Sequence, residues 1–228
     1  MLDPRHPFFP TFARLMAEAA ARAPTYDLGT SGRFTKEMGL VRHLFDETQY
    51  KAGGYRPDSD AGPDGCDFQC DLQAMTGITD GEAGSVVSLS VLEHVVDPNR
   101  AVREIARILR PGGVAIVSVP FMYNYHGKSN RKTNPLYRRG ADWDVDSSHG
   151  GYGDFWRMTH EGLALMFAQA GFARVDVLPI EGPLLAFLQV SGLYHRLCRL
   201  PGMAGLLARL DRGGLGRLTT MHFVRAEK

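Results

Sequence analysis

This sequence predicts an α/β fold, a doubly wound and mostly parallel sheet with helices on both faces. Three observations carry it. Short apolar runs alternate with helical patterns along the chain, which is the order that builds parallel strands joined by crossover helices. Val114–Val119 (VAIVSV) is almost continuously apolar, as a strand covered on both faces must be. The final run, Thr219–Val224, returns as one closing, hairpin-like strand.

The elements follow in order. Phe12, Leu15, Met16 and Ala19 recur at helical spacing, so Pro10–Ala23 reads as a helix that Pro24 ends. Thr25–Leu28 is a short strand running into a turn, Gly29-Thr30-Ser31-Gly32, with a brief helical stretch at Phe34–Met38. Tyr50–Ala52 is a second strand before Gly53-Gly54, and residues 56–65 are a loop by composition. Asp67–Leu72 and Ser85–Ser90 are the third and fourth strands, with a turn at Asp80-Gly81 between them. Asp97 caps a helix opened by Pro98, whose apolar face is Ala101, Ile105, Ile108 and Leu109. Pro111-Gly112-Gly113 stops that helix before the strand Val114–Val119. Residues 121–153 have no period and read as a functional loop. Thr159 caps a helix reaching Ala170, Gly171 ends it, and Arg174–Leu178 is the next strand. Ligands of such sheets bind beyond the carboxyl ends of the strands. The chemistry is therefore expected just after Leu28, Leu72, Ser90 and Pro120.

The 228 residues fit a single domain, 1–228, and 44% hydrophobic residues suffice for a core. Twenty-six basic residues face 25 acidic ones, so the net charge is +1 and no nucleic-acid partner is expected. The three cysteines, Cys66, Cys70 and Cys198, complete no zinc pattern and read as reduced thiols. There is no leader-like start, no run near the ~20 apolar residues of a membrane span and no internal repeat, so a cytoplasmic protein is expected.

Residues 70–121 run CDLQAM…DGEAGSVVSLSVLEHVVDPNRAVREIARILRPGGVAIVSVPF. The succession LEHVVDP, helix, LRPGG and a buried strand ending in proline resembles the class I S-adenosylmethionine (SAM)-dependent methyltransferases. The likeness continues through Asp154-Phe155-Trp156-Arg157-Met158-Thr159 and Ala170-Gly171-Phe172 and covers roughly residues 25–178. It implies a Rossmann-like, seven-stranded sheet and SAM as cofactor. It also implies a cofactor site. Asp27, Gly29, Ser31 and Gly32 would form the first turn, Asp71 and Leu72 the adenine clamp, and Ser90 part of the pocket wall. SAM needs such a glycine-tolerant turn, an acid for its ribose and a polar clamp on adenine.

The sequence departs from the family pattern in four places. Ser31 and Arg33 stand where glycines are usual. Gly54 stands at the ribose-binding acid, for which Asp58 in the next loop is the expected substitute. Gly84 replaces a frequent carboxylate before the fourth strand. These losses keep a second reading open, a catalytically silent methyltransferase-like binding or scaffold protein. A nicotinamide enzyme is disfavoured because no GxGxxG follows a strand.

On the acceptor side, residues 121–153 form a lid, basic in its first half and acidic in its second, with Tyr123, Tyr125, Tyr137, Trp143 and Tyr152. Cations and aromatic rings suit a small-molecule or glycan acceptor bearing phosphate, carboxylate or sugar. The alternative is a solvated loop whose opposite charges pair with each other. Methylation of oxygen or nitrogen needs an aligned nucleophile and often a base, for which His126 and His149 are the candidates. Tyr125 is expected to bind the acceptor, and Asp154, Trp156 and Arg157 are expected to shape its pocket or anchor the lid. His94 reads as structural. Asp142, Asp144 and Asp146 resemble the start of a calcium loop, but its glycine and terminal glutamate are absent, so no metal is expected. Residues 184–217 are apolar and basic, with Arg196, Arg199, Arg209, Arg212 and Arg217. They are expected either to touch an anionic membrane surface peripherally or to pack as a helical insertion on the core or on a second subunit of a homodimer.

Overall fold

The computed structural model describes residue 4 and residues 6–55, 65–127, 153–211 and 218–228. Asp58, His149 and most of the 121–153 lid lie outside the described residues, as do Arg212 and Arg217.

Seven strands among the described residues form one sheet. They are β1 (Thr25–Leu28), β2 (Tyr50–Gly54), β3 (Phe68–Gln69), β4 (Ala83–Leu89), β5 (Leu109–Pro120), β6 (Arg174–Pro179) and β7 (Met221–Glu227). The order is β3-β2-β1-β4-β5-β7-β6. The first five strands are parallel, and β7 runs antiparallel between β5 and β6. The strand order reverses at β1/β4, and the crevice outside the carboxyl ends there is where such sheets bind ligands.

Helices cover both faces. On one, α1 (Phe9–Ala20) buries Phe12, Leu15, Met16 and Ala19 against Val87, Ile116 and Phe223. On the other, α3 (Pro98–Ile108) and α4 (His160–Gln169) pack Ile105, Ile108 and Phe167 on Val86, Val117 and Val224. The Asp97 carboxylate accepts from Arg100 N–H and the Thr159 hydroxyl from Gly162 N–H, so both helices start at the caps the sequence predicts. A four-residue α2 (Glu37–Leu40) follows the first turn. Between β6 and β7 the insertion folds into α5 (Pro183–Val190), α6 (Tyr194–Leu197) and α7 (Met203–Leu210) around a small cluster of Leu185, Leu188 and Leu207.

Several boundaries differ from expectation for local reasons. β3 has two residues, so Asp71 and Leu72 lie beyond the strand, where Asp71 opens a turn by accepting from Gln73 N–H. Cys66 precedes β3 and shares no strand with Cys70; Cys66, Cys70 and Cys198 are all free thiols. β5 already begins at Leu109, opposite Ala83, and its register to β4 shifts before Ser85↔Val114, so the Pro-Gly-Gly segment is a bulge within the strand. α2 starts three residues late, after Phe34 and Lys36 adopt positive φ. β7 starts at Met221, because Thr219 is occupied by Glu181 N–H and Met221 C=O.

Candidate active site

The turn after β1 is built around Gly29. Its φ is +79°, and a Cβ there would lie 2.4 Å from a Val91 methyl, so only glycine fits. Gly29 and Thr30 N–H both reach the Gly53 carbonyl, at 2.8 and 3.3 Å. The Thr30 hydroxyl donates to Gly32 C=O, Ser31 is exposed and Gly32 is buried.

Arg33, at an expected glycine, folds back. It donates to Glu47 C=O, Tyr50 C=O and the Asp67 carboxylate, and so staples the turn to β2 and β3. Phe34 stacks on Tyr50 with ring centroids 4.0 Å apart. Asp27 lies inside β1, and its carboxylate accepts from the Tyr50 hydroxyl. Burial pushes the Asp27 pKa up to about 7, and the Tyr50 bond opposes that shift.

The acid side of the pocket is altered by packing. Asp67 is committed to Arg33 and Ala52 N–H. At Gly84 a Cβ would lie 1.9 Å from the Arg22 carbonyl, so no carboxylate side chain can stand at that position. Leu72 is buried beside the half-buried Asp71. Ser90, just past β4, holds φ +55°, and its N–H donates to Ser118 C=O. A serine kept in the left-handed region at a strand's carboxyl end is the kind of strain that collects at functional sites. A cavity of about 190 Å³, lined by Tyr55, Phe68, Cys70, Asp71 and Met75 among others, adjoins the β3 end.

Three segments converge past β4 and β5. They are 91–95, 121–127 and 153–158. Phe155 N–H donates to Glu93 C=O (2.7 Å) and the Trp156 indole to Val95 C=O (2.9 Å). Arg157 gives its guanidinium donors to Tyr123 C=O, Asn124 C=O, Trp156 C=O and both oxygens of Asp154. Arg157 is thus an anchor of the rim. Trp156 and Tyr125 are exposed on it.

Inside the rim lie Glu93, His94, His126 and Asp154. The Glu93 side chain is 0% exposed, and among the described residues neither carboxylate oxygen has a hydrogen-bond partner. His126 Nε2 is 3.4 Å and His94 Nε2 3.7 Å from Glu93 Oε1. Asp154 Oδ2 accepts from His126 backbone N–H and lies 3.3 Å from its Nδ1. The Glu93 carboxylate raises the His126 pKa, while burial lowers that of His94. Burial by itself would raise Asp154, but the bonds from Arg157 and His126 hold it below the usual carboxylate value.

The structure thus brings Asp27, Gly29, Gly32, Leu72, Asp71 and Ser90 to the carboxyl ends of neighbouring strands, and His126, Tyr125, Trp156 and Arg157 to the adjoining rim. Sequence reasoning missed the convergence of Glu93 with His126. The available signal was that Leu92-Glu93-His94 and His126 follow the ends of adjacent strands.

A doubly wound sheet of this order with a glycine turn after β1 defines the class I methyltransferase fold. Residues 47–117 match the family model described as a methyltransferase domain. A probable SAM-dependent methyltransferase of Mycolicibacterium smegmatis is 36% identical over 62 residues, which are 27% of this chain and 24% of that protein. The chain therefore aligns with about a quarter of the length of the curated relative it matches. A SAM-dependent methyltransferase from Mesorhizobium loti superposes with a TM-score of 0.54 at 17% identity, covering 97% of each chain. One from Archaeoglobus fulgidus gives 0.55 at 14% identity, covering 96% of this chain and 92% of that one. The [4+2]-cyclase SpnF gives 0.55 at 18% identity, covering 96% and 80%. At such identities the likeness is one of fold. The chain thus has the fold of these methyltransferases, and its residues 47–117 resemble a methyltransferase domain.

Proposed function

We propose that this protein is an active SAM-dependent methyltransferase acting on an oxygen or nitrogen of a small-molecule or glycan-type acceptor. The observation that carries the reading is the Gly29 turn, a left-handed glycine packed so tightly on Val91 that no side chain can enter the cradle. Backbone at Gly29–Gly32, with Asp71, Leu72 and Ser90, would hold SAM, and Asp58 would supply the ribose acid. Ser31, exposed on the turn, would face the cofactor's methionine end. Bound SAM supplies an electrophilic methyl group.

The rim residues do the rest. Tyr125 and Trp156 would pack on the acceptor, and Arg157 holds their segments together. His126, with its partner Glu93, would take the acceptor's proton, and His149 is the second candidate base. Orientation of the acceptor contributes more than covalent chemistry in such a site. We also propose the single-domain organisation 1–228 with 121–153 as acceptor lid. The 184–217 excursion, which exposes Phe187, Leu200 and Leu206, is proposed as a peripheral membrane or homodimer contact. No helix among the described residues is long and apolar enough to cross a membrane.

The cyclase shares the fold under the name of another reaction, so the fold alone does not decide activity. Calorimetric titration with SAM and S-adenosylhomocysteine decides the cofactor. Micromolar binding of either is expected. Folded protein that binds neither would establish the silent binding or scaffold reading.

A further inference from the structure

We infer that Glu93, His94 and His126 form a binding site for one divalent first-row transition-metal ion, with an open position toward the acceptor rim. The sequence carries no metal-ligand spacing for it, because the three ligands come from two separate segments brought together past β4 and β5.

The buried carboxylate, which makes no hydrogen bond among the described residues and meets the two histidines only at 3.4 and 3.7 Å, is the first argument. Glu93 is 0% exposed, and neither oxygen has a hydrogen-bond partner among the described residues. Burying a carboxylate without a partner is costly, and buried charges are normally paired or bound to metal. The second argument is the orientation of the histidines. His94 Nδ1 lies 2.5 Å from Gly153 C=O and His126 Nδ1 3.2 Å from Asn124 C=O. A carbonyl only accepts, so each Nδ1 is the protonated donor. In the neutral ring the opposite nitrogen then carries a lone pair. Both Nε2 atoms lie on the side of Glu93 Oε1, at 3.7 and 3.4 Å. With both rings neutral, lone pair faces lone pair, and a cation between them removes the conflict.

This is the usual arrangement of metal-bound histidines, whose second nitrogen donates to a carbonyl or carboxylate. Asp154 Oδ2, 3.3 Å from His126 Nδ1, adds a carboxylate behind the ring. The three ligand atoms all lie within 4.8 Å of one another. Bonds of about 2.1 Å to a tetrahedral ion put ligands about 3.4 Å apart, close to the two separations from Glu93. Two imidazoles and one carboxylate favour zinc, cobalt, iron or manganese over magnesium or calcium. Three protein ligands leave a position for water or an acceptor oxygen, which the ion would polarise.

The ion site itself does not depend on methyl transfer; only its role toward the acceptor rests on that reading. A bound ion occupies His126 Nε2, so His126 cannot then serve as the base, and metal dependence of turnover would separate the two roles.

The test uses full-length protein stripped with a chelator and titrated with Co²⁺, then Zn²⁺, without SAM. One Co²⁺ per chain is expected, with visible absorption that one equivalent of Zn²⁺ abolishes. Glu93→Gln and His126→Gln should each weaken Co²⁺ binding by at least about tenfold. His43→Gln, at an exposed position, should leave it unchanged. If Glu93→Gln does not fold, His126→Gln at the partly exposed ligand still decides. Folded wild-type protein with no Co²⁺ absorption overturns the inference. So does affinity unchanged in the folded variants, or binding of Mg²⁺ without Co²⁺.

Discussion

Replacing Gly29 by alanine tests whether the first turn is the cradle it looks like. Two penalties add at this position. The φ of +79° costs an L-residue about 1–2 kcal/mol. The new Cβ would lie 2.4 and 2.6 Å from the two Val91 methyls, and overpacking of this kind costs about 1–3 kcal/mol. Gly112 is the internal control, with φ +74° and nothing within 4 Å of a built Cβ. Gly112→Ala therefore carries the backbone penalty alone. Urea denaturation should place Gly29→Ala below Gly112→Ala by the overpacking term. A Gly29/Val91 double-mutant cycle should show a coupling of at least about 1 kcal/mol, because Val91→Ala removes the methyls that collide. Displacing the turn also displaces Gly29 and Thr30 from Gly53 C=O, so SAM affinity should fall by at least about tenfold, or 1.4 kcal/mol. Equal stabilities for the two alanine variants, with no coupling to Val91, would refute the packing argument. Unchanged SAM affinity in a destabilised Gly29→Ala would refute the placement of the cofactor.

Two further perturbations follow from buried groups. His222 is fully buried with no hydrogen-bond partner on either ring nitrogen among the described residues, and burial, with a smaller contribution from His160, lowers its pKa to about 4. The unfolded chain therefore takes up a proton near pH 6.5 and the folded one does not. Stability should be unaffected above that pH and should fall by about 1.4 kcal/mol per unit toward pH 4, a total loss of about 3.4 kcal/mol. His222→Leu should flatten this part of a stability–pH curve measured by denaturant melts, and an unaltered slope would exonerate His222. Arg157→Ala leaves the buried Asp154 carboxylate to His126 alone and should cost about 1–3 kcal/mol in thermal or urea unfolding, with Arg157→Lys retaining part of it. A loss below about 0.5 kcal/mol would show that the rim is held by other contacts.

Much of the scaffold is legible in the local sequence. The Asp97 and Thr159 caps start their helices where expected, and the apolar spacing of Phe12, Leu15, Met16 and Ala19 marks the buried face of α1. These are short-range matters of hydrogen bonding and periodicity. The boundaries that moved depend on partners far along the chain. Leu109 joins β5 because Ala83 pairs with it, and β3 stops after two residues because β2 offers no longer ladder.

The candidate site divides in the same way. The sequence by itself determined the glycine turn after β1 and the ends of β1, β4 and β5 to within a residue, whereas the strand expected to end at Leu72 stops at Gln69. Turn glycines and alternating apolar runs are local signals, readable within a few residues. Only the tertiary structure decided why Arg33 replaces a glycine, since it staples segments 14 to 34 residues away, and why Gly84 replaces an acid, since the Arg22 carbonyl fills the space. It also decided that Glu93 is buried beside His126, 33 positions on. Burial and the meeting of separate segments are properties of the packed sheet, because the desolvation of a carboxylate depends on what covers it and not on its neighbours in the chain.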